Sequence, residues 1–186
     1  MPQKPQAVIV APTRELAIQI KDEARKFSNG SMVKAVVAYG GTSTGYQLSQ
    51  LSRGTNLLIC TPGRLMGFVE MGKVSFEQCK FLVLDEADRM LDMGFHPEVQ
   101  KIVGHSTMTA KDERQTLMFS ATFPSAVQHL ALGKSLILIC NKLNYSLLFH
   151  SCRISEGLLI FDHRYRWRRE QRCRPKVLSS GKIQKT

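Results

Sequence analysis

The residues best suited to chemistry are three carboxylates, Asp85, Glu86 and Asp88, within four consecutive positions. They directly follow the apolar run Phe81–Leu84, which has the length and composition of a buried parallel strand. Ligands of open α/β sheets bind at the carboxyl ends of such strands. Acids at this point can hold Mg²⁺ beside substrate phosphates and orient an attacking water. They equally suit a helix N-terminus without any ligand, where they complement the helix dipole, and these residues alone leave both interpretations open.

Short apolar runs alternate with helical patterns over the first 131 residues, which is typical of βαβ units and a mostly parallel sheet. The predicted strands are Ala7–Ala11, Lys34–Tyr39, Asn56–Cys60, Phe81–Leu84 and Thr116–Phe119. Between the first two strands the spacing predicts a helix over Arg14–Phe27. The apolar face of that helix consists of Leu16, Ala17, Ile20, Ala24 and Phe27.

Four further polar segments also follow predicted strands, and each has a plain local interpretation. They are Pro12-Thr13-Arg14, Gly40-Gly41, Thr61-Pro62-Gly63-Arg64 and Ser120-Ala121-Thr122. Threonines can cap helices, proline suits the first helical position, and glycines and hydroxyls suit turns. The first three segments also suit a polyanion, because helix N-termini bind phosphate, arginine pairs with it, and glycine lets a nucleotide backbone approach. Taken singly, none of them decides between the two interpretations.

Together these segments resemble, in order and spacing, the motifs of one family. Asp85-Glu86-Ala87-Asp88 is similar to the tetrapeptide that names the DEAD-box RNA helicases. Around it stand counterparts of motif Ia (Pro12-Thr13-Arg14-Glu15-Leu16), the double-glycine motif (Gly40-Gly41), motif Ib (Thr61-Pro62-Gly63-Arg64) and motif III (Ser120-Ala121-Thr122). Residues 89–95 and 114–119 resemble the Vasa-like branch. The resemblance covers about residues 6–131 and then stops.

This resemblance implies a RecA-like α/β fold, with a mostly parallel sheet flanked by helices, and an ATP-dependent RNA helicase. It implies that Asp85 holds Mg²⁺, through water, and that Glu86 activates the water that attacks ATP. Ser120 and Thr122 would couple the ATP state to RNA binding through hydrogen bonds near Asp88. The RNA, a single strand or a short duplex, would be contacted through its backbone by Pro12, Thr13, Arg14, Gly40, Gly41, Thr61, Pro62, Gly63 and Arg64.

Several features of the family are absent from the 186 residues. They contain no phosphate-binding loop of the form G-x-x-x-x-G-K-[ST], no adenine-reading Q motif and no second RecA-like domain with its arginine finger. We therefore expect residues 1–131 to form a partial first RecA-like domain, incomplete at its N-terminus. The missing strand would leave unpaired neighbours in the sheet.

The charge of the chain is concentrated where the resemblance ends. The net charge is +11, and 12 of the 26 Lys and Arg residues lie after residue 130. We expect residues 132–186 to be a basic, largely disordered tail, with retained intron sequence or a shifted reading frame as the leading explanation of its origin. Its Arg164–Arg169 cluster, interleaved with Tyr165 and Trp167, can bind single-stranded RNA or simply be solvated.

The cysteines and the N-terminus bear on the compartment. The five cysteines are odd in number and widely spaced, which argues against a zinc site or disulfide framework and for a reducing, intracellular compartment. We find no signal peptide and no membrane span, and expect no membrane partner. The cytoplasm is the expected location, with the nucleus as the alternative, and the Vasa-like resemblance implies perinuclear germ granules.

Three functional hypotheses remain from the sequence. The chain is an ATP-dependent RNA helicase represented by an inactive fragment, or a truncated RNA-backbone-binding module without ATPase activity, or a non-functional splice product or gene-model error. For these 186 residues we expect partial RNA-backbone binding with little or no ATP hydrolysis.

Overall fold

The computed structural model describes residues 1–110, 112–122, 124–132 and 136–140. The strands are β1 (Ala7–Val10), β2 (Ala35–Ala38), β3 (Leu57–Cys60), β4 (Phe81–Leu84), β5 (Gln115–Ser120) and β6 (Leu136–Cys140). The helices are α1 (Arg14–Phe27), α2 (Thr44–Ser52), α3 (Pro62–Glu70), α4 (Ala87–Asp92), α5 (His96–Val103) and α6 (Ser125–Leu132). The Arg164–Arg169 cluster lies outside the described residues.

The six strands form one parallel sheet in the order β2-β3-β1-β4-β5-β6. The five predicted strands are confirmed to within one residue at each end. Val10, at the end of β1, pairs with Cys60 on one side and Leu84 on the other, so the strands end level with one another. We call this edge the carboxyl rim, and every segment with predicted chemistry begins there.

The main core lies on one face of the sheet, because alternate strand residues point to the same side. Val8, Leu58 and Leu82 are fully buried there with Phe68 and Phe76. The large apolar area removed from water is the principal stabilising term of the domain. This core fixes the strand ends that form the carboxyl rim.

The opposite face of the sheet is covered by α1, as the helical spacing predicted. Ala17 is buried against Ile59, and Leu16, Ile20 and Ala24 pack around them. The prediction for Phe27 was wrong, since its side chain is 87% exposed. Phe27 is the last residue of α1 and lies nearly one turn beyond Ala24, the last of the predicted positions to pack on the sheet.

The sixth strand, β6, lies in the segment that we predicted as a largely disordered tail. It pairs in parallel with β5, from Thr116↔Leu136 to Ser120↔Cys140. Strands β1 to β5 are also contiguous, so the described sheet has no internal gap of the kind expected around a missing strand. None of the helices in the described part combines the length and apolar character needed to cross a bilayer.

Cys60 and Cys79 are free thiols that lie in the core. Burial raises the pKa of Cys79 to about 11 and raises the pKa of Cys60 further. A thiol with such a pKa is almost fully protonated near neutral pH and is a poor nucleophile or metal ligand. Both residues therefore act as small apolar core side chains.

Candidate functional site at the carboxyl rim

Asp85 is the first residue after β4, and its backbone binds it to the neighbouring strand. Its N–H donates to the carbonyl of Val10 at 2.9 Å, and its Oδ1 accepts the backbone N–H of Glu86 at 3.0 Å. Burial raises the pKa of the Asp85 carboxyl, a shift that the hydrogen bond from Glu86 opposes and the Glu86 charge reinforces. A carboxylate held in this way would be stabilised by a cation.

Glu86 stands in a left-handed conformation, with φ 48° and ψ 52°, directly before α4. It alone has a positive φ among the non-glycine residues of the described ranges. Such a conformation costs roughly 1–2 kcal/mol for a residue with a Cβ. Its carboxylate accepts a hydrogen bond from Arg89 Nη1 at 3.2 Å. The backbone strain therefore coincides with a side chain that we predicted to be catalytic.

We expect Glu86→Gly to be more stable than Glu86→Ala by roughly 1 kcal/mol, because glycine adopts this conformation freely and alanine does not. Both substitutions remove the carboxylate and its contact with Arg89, so their difference isolates the backbone strain. Urea unfolding of the two variants measures it. Equal midpoints and slopes would show that the turn relaxes when the side chain is lost.

Asp85→Asn is expected to stabilise the unliganded protein near neutral pH by up to about 1 kcal/mol, because it removes a desolvated charge. The raised pKa means that the folded state holds the Asp85 proton more tightly than the unfolded chain. The unfavourable contribution of the charge is thus fully present above the folded pKa and vanishes below the unfolded value of about 3.9. Urea unfolding of both proteins as a function of pH should show the two stabilities converging in acid, and a constant difference would contradict the assignment.

Asp88, Ser120 and Thr122 form one hydrogen-bonded cluster, which links the start of α4 to the end of β5. Asp88 Oδ2 accepts both the N–H and the hydroxyl of Thr122, at 2.8 and 2.7 Å. Ser120 Oγ donates to the carbonyl of Thr122 at 2.6 Å and accepts the N–H of Asp88 at 3.3 Å. The contact that we predicted between this motif and Asp88 is therefore present.

The same cluster sets the ionisation of Asp88. Burial by itself raises the pKa of this carboxyl, but the hydrogen bonds from Thr122, with smaller contributions from the Arg89 backbone and Ser120, outweigh burial and lower it. The pKa of Asp88 is therefore lowered, whereas that of Asp85 is raised. The two aspartates of the tetrapeptide differ because only Asp88 receives two hydrogen bonds on a single carboxylate oxygen.

The first predicted RNA segment and the glycine pair are neighbours at the rim. Thr13 caps α1, since its Oγ1 accepts the N–H of Leu16 at 3.3 Å, as the local interpretation predicted. Arg14 is exposed and forms a surface ion pair with Glu15 at 2.8 Å. A Cβ built on Gly41 would lie 3.6 Å from Arg14 Nη1, and Gly41 has φ +78°. Glycine is therefore favoured at Gly41 by its backbone conformation.

A cleft of about 340 Å³ lies between Gly40, the first residue of the glycine pair, and the predicted RNA segment Thr61-Pro62-Gly63-Arg64. It is lined by Gly40, Thr61, Gly63, Arg64, Gly67 and Phe95. Thr61 precedes α3 but makes no side-chain cap hydrogen bond, so the capping interpretation was wrong for this threonine; Pro62 does occupy the first helical position. A Cβ on Gly40 or Gly63 would meet no atom within 4 Å, which leaves the backbone of both open to a ligand.

Arg64 is engaged with the loop that carries the glycines. Its Nε donates to the Tyr39 carbonyl at 3.1 Å, its Nη1 to Thr44 Oγ1 at 2.7 Å, and its Nη2 to the Thr42 carbonyl at 3.2 Å. Gln47, which is buried, also donates to the Tyr39 carbonyl. The predicted phosphate contact of Arg64 stays a prediction, and the structure adds a positioning role for this side chain.

Three residues of the rim were not predicted as part of the site: Gln47, Phe95 and Arg89. Gln47 acts on a main-chain carbonyl, and Phe95 enters the cleft from the turn before α5. Neither contact could be predicted from the sequence, because the groups that Gln47 and Phe95 contact lie in other segments of the chain. Arg89 did carry a signal, since it stands three residues after Glu86 at helical spacing.

The donor set fits Mg²⁺ but does not fit ATP equally well. Mg²⁺ commonly takes only one or two protein carboxylates beside water and phosphate, and Asp85 meets that requirement. In the described part no group of three His, Cys, Asp or Glu side chains forms a closed metal cage. The nucleotide phosphates need a Gly-rich loop with a lysine, which the 186 residues do not contain. No hydrolytic step therefore follows from these side chains.

A parallel sheet with acidic and phosphate-compatible segments along its carboxyl rim defines this protein as a RecA-like domain of the helicase type. Residues 1–130 match the family described as DEAD/DEAH box helicase, and the chain belongs to that family. The relationship that the motifs suggested is thus confirmed over about two-thirds of the sequence.

The similar proteins include members of the Vasa-like branch. The chain is 57% identical over 129 residues to the probable ATP-dependent RNA helicases DDX4 of Sus scrofa and Homo sapiens. The aligned region covers 69% of this chain but 18% of each relative, so the chain spans about a fifth of their length. This confirms the Vasa-like resemblance of the first 130 residues.

Solved structures of the family share the fold. The yeast DEAD-box splicing factor Prp28 matches with a TM-score of 0.66 and 38% identity, over 70% of this chain and 30% of that protein. A DEAD box protein from the hyperthermophile Methanococcus jannaschii matches with a TM-score of 0.68 and 36% identity, over 77% and 39% of the two chains.

Proposed function

We propose that this protein serves as an ATP-dependent RNA helicase in its complete form, and that these 186 residues bind an RNA backbone without hydrolysing ATP. The observation that carries the proposal is the cleft in which Gly40, Thr61, Gly63 and Arg64 converge. These residues come from two of the segments for which the family resemblance implies RNA contacts. The third such segment adjoins them through the Arg14–Gly41 approach.

The geometry of the rim favours a polyanion over a neutral ligand. Helices α1 and α3 begin at the rim, and the N-terminus of a helix carries partial positive charge. Gly40 lines the cleft beside the start of α3, and Gly41 lies near Arg14 at the start of α1, so a sugar-phosphate chain can approach the protein backbone there. Contacts to phosphate and sugar fix the position of a strand without reading its bases. We therefore propose binding with little sequence preference.

The proposed lack of hydrolysis rests on positioning. Phosphoryl transfer depends on holding the phosphates in line, with metal and cationic groups around them. Asp85 and Glu86 supply a metal ligand and a base at the end of β4, and the chain supplies no phosphate-binding loop. Without that loop, the phosphates of a nucleotide would not be held in position beside the two carboxylates.

RNA binding is tested by fluorescence anisotropy with a labelled oligouridine at several salt concentrations. We expect Thr61→Ala to weaken binding severalfold, and the matched hydroxyl deletion Ser52→Ala, at the opposite end of the sheet, to leave it unchanged. Each neutralised phosphate should contribute about 0.7 to the salt slope. No binding by the unsubstituted protein, or equal binding by both variants, would refute the proposal. Deletion of residues 150–186 shows in the same assay whether the tail contributes.

Hydrolysis is tested by measuring phosphate release from ATP and Mg²⁺, with and without the same RNA. We expect turnover no higher than that of the Glu86→Gln control. RNA-stimulated turnover that Glu86→Gln abolishes would mean that the phosphates are held without the missing loop, and would overturn this part of the proposal. The binding and hydrolysis results are independent, so one part of the proposal can fail without the other.

The Vasa-like relationship extends the proposal to the cytoplasm of germline cells, including perinuclear granules. Immunofluorescence with an antibody against residues 150–186, which lie outside the matched region, would distinguish this chain from longer family members. Exclusive staining of other tissues would reject the proposed location.

A further inference from the structure

Strand β5 would form an open edge of the sheet if β6 were absent. On one side it pairs with β4, from Phe81↔Gln115 to Leu84↔Met118. In a parallel sheet alternate residues bond to opposite neighbours, so the other half of the β5 backbone groups would face outward unpaired. Exposed edges of this kind recruit strands from other chains. The β5 edge thus requires a cover.

The chain itself provides that cover directly after the region shared with the family. Helix α6 packs on the core through Val127 and Leu130, which are buried. Residues 133–135 then connect it to β6, whose sequence Leu-Ile-Leu-Ile-Cys suits a strand. The pairing is continuous over the five residues Thr116–Ser120, without a bulge in the register.

We propose that Leu136–Cys140, beyond the family-matched residues 1–130, is an integral strand that closes the β5 edge and fixes Ser120 in the functional site. The pairing reaches the last residue of β5, where Ser120 lies opposite Cys140. Ser120 is buried and bonds to both Thr122 and Asp88. Closing the sheet on that side therefore holds the cluster that connects α4 to the end of β5.

Amide hydrogen exchange of the unmodified chain, resolved residue by residue by NMR, tests the strand itself. We expect the β6 amides that point towards β5 to exchange at least about tenfold more slowly than in the denatured chain, and the outward amides of β5 to be protected equally. Exchange of residues 136–140 at the denatured rate would overturn the proposal. Protection that disappears on dilution would also overturn it, because it would assign the pairing to a second copy.

Proline substitution tests the link to the site. Leu138→Pro disrupts the regular strand pairing of β6, and Leu147→Pro places the same substitution outside β6 as a control. We expect Leu138→Pro to raise the exchange rate of the Thr122 amide by about tenfold or more and to produce oligomers in light scattering. Leu147→Pro should do neither. Identical behaviour of the two variants would show that β6 has no part in closing the sheet.

Discussion

Arg64→Ala is expected to weaken RNA binding by roughly tenfold or more, because the loop of the glycine pair loses its tether. The guanidinium donates to two carbonyls and one hydroxyl of residues 39–44, and its Cζ lies 5.6 Å from the Phe68 ring centre. Without the guanidinium, the Tyr39 carbonyl still accepts a hydrogen bond from Gln47, whereas the Thr42 carbonyl is left to bind water. We expect a loss of about 1–3 kcal/mol in the free energy of unfolding, measured by urea denaturation.

Arg64→Lys separates the two roles of this side chain. Lysine keeps the positive charge but cannot reproduce the planar, three-way donation of arginine. If Arg64 mainly positions the loop, Arg64→Lys should bind RNA as poorly as Arg64→Ala, with the salt slope retained. If it mainly neutralises a phosphate, lysine should restore affinity, and alanine should reduce the slope by about 0.7. Arg25→Ala removes the same charge at the far end of α1, and equal binding by Arg25→Ala and Arg64→Ala would contradict both roles.

Asp88→Ala is expected to destabilise the domain by about 2–4 kcal/mol, which is the largest change that we predict at the rim. Asp88 accepts two hydrogen bonds from Thr122 on one carboxylate oxygen, and hydrogen bonds to charged groups contribute about 1.5–3 kcal/mol each. Asp92→Ala is the matched control, since Asp92 is exposed at the end of the same helix. Chemical denaturation of both variants measures the difference, and equal stabilities would rule out the role of the cluster.

The free energies of unfolding of the Asp88→Ala and Asp92→Ala variants should also differ in their dependence on pH. The pKa of Asp88 is lower in the folded protein than in the unfolded chain, so its stabilising contribution is complete above the unfolded value of about 3.9. That contribution is lost as the pH falls through the folded pKa. The stability gap between the unsubstituted protein and Asp88→Ala should therefore narrow only in strong acid. A double-mutant cycle with Thr122→Val should give a coupling energy of about 0.5–3 kcal/mol, and a coupling near zero would show that the two side chains act separately.

The opposite pKa shifts of Asp85 and Asp88 show which features of the site could not be predicted from the sequence. Apolar runs and helical spacing located five strands, α1 and the strand ends where Asp85 and Asp88 stand. They did not predict that burial would raise the pKa of one carboxyl while hydrogen bonds lower that of the other. The lowered pKa of Asp88 depends on Thr122 and Ser120, which lie more than thirty positions away and meet Asp88 only in the folded sheet.

The sequence by itself determined the parallel sheet and the edge of the sheet where the chemistry lies, and the resemblance of its motifs indicated the family, because apolar runs, helical spacing and short motifs are local properties of the chain. The tertiary structure alone decided that Thr13 caps its helix while Thr61 does not, and that Arg64 holds the glycine loop. It also decided that β6 pairs with β5. These features depend on main-chain carbonyls and strand neighbours brought together by packing, and a backbone acceptor has no signature in the order of the side chains.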